Sequence, residues 1–288
     1  MLGFRSAEGA DFPHVERLNT GVVVRIYPPE LILETMTERD AAGSLVFYPE
    51  GGGGYVLIED IDDPAIVNKG LGDFFPMQQA PVLDALAAIE IGGRTLAMEI
   101  DVYLLPLPRR NMLMSSASGQ RVFLSPGTSP YRPEVAAWTA THEFGHCFQN
   151  RYLPLSDLEG WERYLELRGI LGDPAFAHNA VHCYRPVEVF AEDVRALFGG
   201  AAARYTGTIE NPHLVHPDEV PGLRACIVDL VPETVFVAAG PAPSRLAAVN
   251  YPNPFNPETT IRFEIPFTGK HTVKVELCIY NLEGQLIR

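Results

Sequence analysis

The sequence predicts an α+β fold that is divided into two domains. Short strand-like runs dominate the first 75 residues, and stretches with helical periodicity dominate much of the chain between residue 76 and residue 237. A segment rich in alanine and proline then precedes residues that alternate between apolar and polar side chains. We therefore expect a main domain over residues 1–240, whose part at 1–75 is β-rich, and a second, β-type domain over 246–288.

Each predicted element rests on its apolar pattern and on the turn residues beside it. The chain has 25 glycines and 25 prolines, which separate the elements clearly. Strands are predicted where β-branched and aromatic residues cluster, at 22–26, 44–48, 95–105 and 121–125. Helices are predicted where apolar residues recur at helical spacing, at 80–89, 133–150, 158–167, 186–198 and 222–230. The helix over 133–150 has the strongest support, because Pro133 suits a first turn and Glu134 complements the helix dipole.

The C-terminal piece predicts a β-meander that comes after a linker at 238–244. Apolar and polar residues alternate over 261–265 and again over 273–280, which is the period of a strand with one buried face. Two or three strands in about 40 residues bury too little surface to be stable alone. We therefore expect this second domain to be incomplete.

Composition excludes several classes of function. Asp and Glu number 36 against 22 Lys and Arg, and the formal net charge is −14. A protein this acidic repels phosphate backbones, so nucleic acid is not an expected partner. No uncharged apolar run approaches the roughly 18–20 residues that cross a bilayer, so no transmembrane segment is expected. Four cysteines are too few for a disulfide scaffold.

One motif inside the predicted helix over 133–150 carries metal chemistry. His142-Glu143-Phe144-Gly145-His146 places two histidines four residues apart, so both imidazoles lie on one helical face and can reach a single metal ion. Glu143 can accept a proton from water beside such an ion. The alternative is a chance pattern on a helix face.

A catalytic zinc site needs a third protein ligand. A third histidine six residues after the motif, as in metzincins, is absent, because Tyr152 stands there. Glu188 and Glu192 are four apart on the predicted helix over 186–198, so one can bind metal while the other holds a ligand histidine. The alternative is two solvated glutamates on a surface helix.

These two segments resemble the gluzincin metallopeptidases, and most closely the catalytic domain of the anthrax lethal-factor-like family. The matching residues are His142 to His146 and Glu188-Val189-Phe190-Ala191-Glu192, within a match that covers roughly 121–199. The resemblance implies a zincin-like metallopeptidase domain in which His142, His146 and Glu188 bind Zn²⁺, Glu192 supports a ligand histidine, and Glu143 is the general base. It implies hydrolysis of peptide or protein substrates.

The resemblance also raises two expectations about substrate binding. Family members use a tyrosine upstream of the ligand glutamate to stabilise the oxyanion, and Tyr184 is the nearest candidate, although it stands closer to Glu188 than the family's tyrosine does. His182 is the alternative, and a packing role for either side chain is left open. The strand at 121–125 is expected at the sheet edge, where an extended substrate pairs.

The C-terminal piece has a resemblance of its own. Asn250 to Ile261 and Ile279 to Gln285 resemble the signature stretches of Ig-like C-terminal sorting domains of type IX secretion and of related hook-capping-like domains. A generic turn before a hairpin is the alternative. The resemblance implies a bacterial protein that is secreted or bound to the cell surface through secretion machinery. It also implies a signal peptide, which this sequence lacks, and a partial Ig-like β-domain that is truncated at Arg288.

The sequence as a whole predicts a secreted zinc peptidase, and the rival prediction is a catalytically silent zincin-fold protein with a binding or structural role at the cell surface. The presence of Glu143 argues against the rival, because a silent scaffold does not need it. Trp138 is expected to pack in the core.

Cysteine positions give a further expectation. Cys147 follows the ligand His146 and Cys183 precedes Glu188, so a Cys147–Cys183 disulfide is predicted, with two free thiols as the alternative. Cys226 and Cys278 are expected to be unpaired with each other.

Overall fold

The structure is a computed structural model that describes residues 12–233 and two strands at 247–251 and 260–264. The chain forms two compact units, Met1–Thr234 and Val235–Arg288, and each is described by itself. The predicted linker at 238–244 and the predicted strand at 273–280 lie outside the described residues.

The elements of the described part are named in chain order. The strands are β1 (His14–Arg17), β2 (Val23–Tyr27), β3 (Thr37–Arg39), β4 (Leu45–Phe47), β5 (Tyr55–Val56), β6 (Glu99–Leu104), β7 (Ser116–Ser118), β8 (Arg121–Leu124), β9 (Ala247–Tyr251) and β10 (Thr260–Glu264). The α-helices are α1 (Pro29–Thr35), α2 (Gln79–Ala87), α3 (Pro133–Tyr152), α4 (Leu158–Arg168), α5 (Pro186–Phe198) and α6 (Leu223–Asp229). Single 3-10 turns lie at His182–Tyr184 and Pro217–Glu219. The predicted α+β class is confirmed at this level.

A five-stranded sheet with the order β1-β2-β6-β8-β7 forms the centre of the first unit. Strands β2, β6 and β8 run parallel, and β1 and β7 pair antiparallel at the two edges. The prediction that the strand at 121–125 is an edge is therefore wrong: β8 is paired on both sides. The edge on this side of the sheet is β7, a three-residue strand that pairs with β8 across the turn at Gly119.

The sheet is covered on both faces, as its alternating side chains require. Ile26, Val102 and Val122 are paired across β2, β6 and β8, and they are fully buried in a core shared with Phe144 and Phe148 of α3. On the opposite face Tyr27, Tyr103 and Phe123 are paired across the same strands. Their rings stack with centroids 4.5 and 5.2 Å apart.

A second, three-stranded antiparallel sheet, β3-β4-β5, and helix α1 contribute residues to the aromatic side of this core. Helix α1 is absent from the sequence prediction, which describes this region as strands and loops. It begins at Pro29, a residue suited to a first helical turn, and it buries Leu31 and Ile32.

The second unit is described only by β9 and β10. They pair antiparallel, with Tyr251 opposite Thr260 and Ala247 opposite Glu264. No helix in the described part of the chain is both long enough and apolar enough to cross a membrane.

Candidate metal centre

Helices α3 and α5 pack against each other so closely that a glycine is needed between them. A Cβ atom built on Gly145 would lie 2.6 Å from the carbonyl oxygen of Ala191 and 2.7 Å from its Cα atom, which is closer than real Cβ atoms approach backbone. The glycine of the motif therefore lets the backbone of α5 approach α3. This contact brings the glutamates of α5 beside the histidines of α3.

The approach of the two helices gathers His142, His146 and Glu188 into a group that could hold a metal ion. His142 Nε2 lies 3.4 Å from Glu188 Oε2, and His146 Nε2 lies 2.9 Å from the same oxygen. Nitrogen and oxygen ligands that stand about 2.0–2.1 Å from a tetrahedral zinc lie about 3.3 Å from each other. The observed separations are close to that value.

Two further observations show that the residues fit a metal ion. Glu188 Oε2 is buried and has no partner of hydrogen-bond geometry, although both imidazole nitrogens are close to it. A buried carboxylate oxygen rarely remains without a partner unless an ion or water satisfies it. Two imidazoles and one carboxylate also form the ligand set of catalytic zinc sites.

Glu192 orients the first of the two histidines. Its Oε2 lies 3.1 Å from His142 Nδ1, and Glu192 is 3% exposed. A carboxylate only accepts hydrogen bonds, so Nδ1 carries a proton and donates it, which turns Nε2 toward Glu188. The two carboxylates of α5 thus face the two ring nitrogens of His142, Glu192 at Nδ1 and Glu188 at Nε2.

Burial and close charges shift the pKa values of these groups when no metal is bound. Burial opposes the charged form of His142, but the carboxylates of Glu188 and Glu192 outweigh it and raise the pKa of His142 to about 10. Burial alone would raise the pKa of Glu188 and of Glu192, but their hydrogen-bonded and charged neighbours lower both pKa values by more. The neighbouring histidines hold the pKa of Glu188 well below its usual range, and Arg195 with His142 lowers the pKa of Glu192 to about 2.

Glu143 is close enough to His142, His146 and Glu188 for their charges to act on it, but it takes no part in these contacts. It is 5% exposed, and its Oε2 has no hydrogen-bond partner among the described residues. Burial raises the pKa of the Glu143 carboxyl, and the nearby charges of His142 and His146 partly oppose the rise. A buried carboxylate with a free oxygen beside a metal-ligand group can take a proton from water.

The two candidates for the oxyanion position have different surroundings. His182, in the 3-10 turn, places Nε2 at 3.4 Å from Glu188 Oε2 and 3.7 Å from Glu210 Oε2, and its side chain is 46% exposed. The ring of Tyr184 packs against Phe176 and His213, with centroids 5.2 and 6.1 Å away. Of the two candidates, His182 is therefore the one that lies beside Glu188.

Trp138 touches the site, although core packing is the expectation from the sequence. Its ring is only partly buried and stacks almost parallel on the His142 imidazole, with centroids 5.4 Å apart and 6° between the planes. The two residues are four apart on α3, so helical spacing accounts for the contact. Trp138 therefore packs against one face of the His142 ring.

The predicted Cys147–Cys183 disulfide is wrong, because both cysteines are free. Cys147 is fully buried in the core, since it is rotated about 100° around the helix from His146 and does not face the site. Burial raises the pKa of the Cys147 thiol well above its usual range. Cys183 lies in the 3-10 turn, where its carbonyl accepts a hydrogen bond from Asn211. Cys226 is also free, while Cys278 lies outside the described residues.

Comparisons with family models, with curated proteins and with solved structures find no significant match to this chain. A functional assignment therefore depends on the geometry of the site.

The sequence analysis does not identify two residues of the site, Arg195 and Glu210. Arg195 had one local signal, its position three residues after Glu192 on the same helix, whereas Glu210 comes from a distant loop and had none.

Proposed function

We propose that the protein is a zinc-dependent peptidase with a zincin-like catalytic domain. The observation that carries the proposal is Glu143, a buried carboxylate with a free oxygen that is close enough to His142, His146 and Glu188 for their charges to act on it. A metal-storage or structural site does not require a carboxylate with a free oxygen beside the ligands. Structural zinc sites also usually have four protein ligands, whereas the group here has three.

The residues of the chain divide the chemistry among them. His142, His146 and Glu188 would hold the ion, and Glu192 fixes the tautomer of His142. Zinc bound there supplies Lewis acidity for water activation and carbonyl polarisation. Glu143 accepts the proton of the attacking water and returns it to the leaving amine, so no covalent intermediate with the protein forms.

His182 is the side chain that we assign to the oxygen of the scissile carbonyl. Its Nε2 lies between Glu188 and Glu210, and its partial exposure leaves it accessible to a substrate. A hydrogen bond from this imidazole would strengthen as negative charge develops on the oxygen. The Tyr184 ring instead packs against Phe176 and His213, and no hydrogen bond joins it to Glu188 among the described residues.

Strand β7 replaces β8 as the proposed binding edge for an extended peptide. It is the last strand of the sheet beside β8, and it contacts helix α3. Main-chain groups on its outer side can pair with a substrate by β-augmentation. The substrate class is therefore a peptide or protein segment in extended form.

The second unit supports a proposal about location. Its two antiparallel strands agree with a β-type domain, and the signature stretches at Asn250–Ile261 and Ile279–Gln285 carry the resemblance to sorting domains. We propose export to the bacterial surface or medium through this unit. Detection of the protein in the cytoplasmic fraction alone, with none outside, would count against export.

The test of the proposed activity is cleavage of a mixed peptide library by the purified full chain. Zinc content is measured on the same sample, and cleavage is followed with no addition, with a chelator, and with chelator followed by zinc. We expect cleavage that the chelator abolishes and zinc restores. Stoichiometric zinc without any cleavage would favour the silent cell-surface scaffold instead.

A further inference from the structure

Arg195 is a buried cation that holds both Glu192 and the segment that follows α5. It lies one turn after Glu192 on α5 and is 1% exposed. Its Nε donates to Glu192 Oε2 at 2.9 Å, and its Nη2 donates to Glu192 Oε1 at 2.6 Å. The guanidinium therefore grips both oxygens of the carboxylate that holds His142. Such a two-point contact fixes the plane of the carboxylate as well as its position.

The other side of the guanidinium holds the segment that comes after α5. Nη1 donates to the carbonyl of Ala203 at 2.6 Å, and Nη2 also donates to the carbonyl of Thr208 at 2.8 Å. The amide of Glu210 donates to Glu192 Oε1 at 3.0 Å. One ion pair thus fixes the segment that carries Glu210, whose carboxylate lies beside His182.

A stacking contact closes the arrangement into a ring of four residues. The guanidinium carbon of Arg195 lies 5.1 Å from the centre of the Trp138 ring, and Trp138 stacks on His142. His142 donates to Glu192, and Glu192 accepts from Arg195. Each of the four side chains therefore restrains two of the others.

We propose that Arg195 is a positioning residue that couples the two sides of the metal centre. Through Glu192 it sets the orientation of the ligand His142, and through the segment 203–210 it sets the position of Glu210 and hence of His182. The expected effect of Arg195 on metal affinity requires only that His142, His146 and Glu188 bind the ion. Its expected effect on catalysis through His182 rests on the proposed peptidase function.

Lysine is not expected to replace this arginine. Four hydrogen bonds leave the planar guanidinium toward three residues, Glu192, Ala203 and Thr208. An ammonium group is a point charge with three donors and no fixed fork, so it cannot reach all of these acceptors at once. The charge is kept in Arg195→Lys, and only the geometry is lost.

The chain offers a matched control at the neighbouring carboxylate of α5. Arg168, at the end of α4, is equally buried, donates from Nε to Asp193 Oδ2 at 2.9 Å, and donates from Nη1 to the carbonyl of Val215 at 2.8 Å. It therefore holds a carboxylate of α5 and a loop carbonyl, as Arg195 does, but it has no hydrogen bond to Glu192. Arg168→Lys removes the same kind of buried fork.

The experiment measures zinc affinity of the full chain by competition with a chromogenic chelator. We expect Arg195→Lys to weaken zinc binding by roughly 10–100-fold, as the loss of outer contacts to metal ligands does. We expect Arg168→Lys to change the zinc affinity by less than about 3-fold, even if it lowers the Tm of the protein as much as Arg195→Lys does. Equal losses in the two variants, or an unchanged affinity in Arg195→Lys, would overturn the proposal.

A second pair of variants keeps the proposal testable if Arg195→Lys does not fold. Glu192→Gln retains the shape of the side chain but removes the charge that holds Arg195, and Asp193→Asn is its control. We expect hydrogen exchange over 203–210 to accelerate at least about 10-fold in Glu192→Gln and to stay unchanged in Asp193→Asn. No acceleration in Glu192→Gln, or the same acceleration in both, would contradict the coupling. These readouts do not need activity, so they remain decisive even if the wild-type chain cleaves no peptide.

Discussion

Gly145→Ala should damage the metal centre without changing any ligand. The added methyl group would lie 2.6 Å from the carbonyl oxygen and 2.7 Å from the Cα atom of Ala191. Carbon atoms in favourable contact stand about 3.5–4.0 Å apart, so the two helices must separate by about 0.8 Å or more. The obstacle is backbone, which cannot rotate away as a flexible side chain can.

The separation acts directly on the ligand group. His142 Nε2 on α3 and Glu188 Oε2 on α5 are 3.4 Å apart, so the same displacement would move them to about 4.2 Å, about 0.9 Å beyond the roughly 3.3 Å that a tetrahedral zinc requires. Sites of this kind need placement to within about 0.5 Å. We therefore expect zinc affinity to fall by at least about 10-fold, together with a loss of about 1–3 kcal/mol of stability in the metal-free protein from overpacking.

The assay combines zinc titration with denaturant unfolding of the metal-free protein. Gly53→Ala is the control, because a methyl group there meets nothing within 4 Å, and it should leave both quantities unchanged. Because zinc stabilises only the folded state, Gly145→Ala should also gain less stability on zinc addition than the wild type does. Full zinc affinity in Gly145→Ala would show that this glycine does not set the helix spacing.

Three further predictions concern the ligands and their neighbours. In the metal-free protein the pKa of His142 is raised to about 10, so zinc must displace a proton at neutral pH. Affinity should therefore rise about tenfold per pH unit between pH 7 and 8.5, and a plateau above pH 7 in the titrations would contradict this. Glu188→Ala should abolish stoichiometric zinc binding, whereas Glu192→Ala should weaken it roughly 10–100-fold; the reverse order in metal analysis would exchange their roles. His182→Gln should lower kcat on the library peptides roughly 10²–10³-fold with zinc content unchanged, and Tyr184→Phe should lower it less than about 3-fold; the opposite ranking would return the oxyanion role to Tyr184.

The parts of the site that the sequence predicts are those set by spacing within one helix. His142 and His146 share a face of α3 because they are four residues apart, and Glu188 and Glu192 do so on α5 for the same reason. The helices themselves are predictable because both begin with a proline and carry an acidic residue in the first turn. These are local properties of the chain, and the structure keeps them.

The parts that the sequence does not predict depend on contacts between distant residues. Strand β7 consists of Ser116, Ala117 and Ser118, which have little strand preference of their own, and its pairing with β8 comes from the turn at Gly119. Glu210 reaches the site from a loop, because Arg195 and Glu192 hold that segment in place. Spacing alone gives no information about such partners. The disulfide prediction is wrong for a related reason, since proximity along the chain to two ligands does not determine which way a helical side chain points.

Hydrolysis by the proposed zinc peptidase depends on Glu143 as its general base. Its most direct test is the turnover of one cleaved library peptide by the wild-type chain and by Glu143→Gln, both at equal measured zinc occupancy. The amide keeps the shape of the side chain but cannot take a proton from water. We predict that zinc affinity stays within about 3-fold while kcat falls roughly 10²–10⁴-fold. Near-normal turnover in zinc-loaded Glu143→Gln would contradict the assignment of Glu143 as the base.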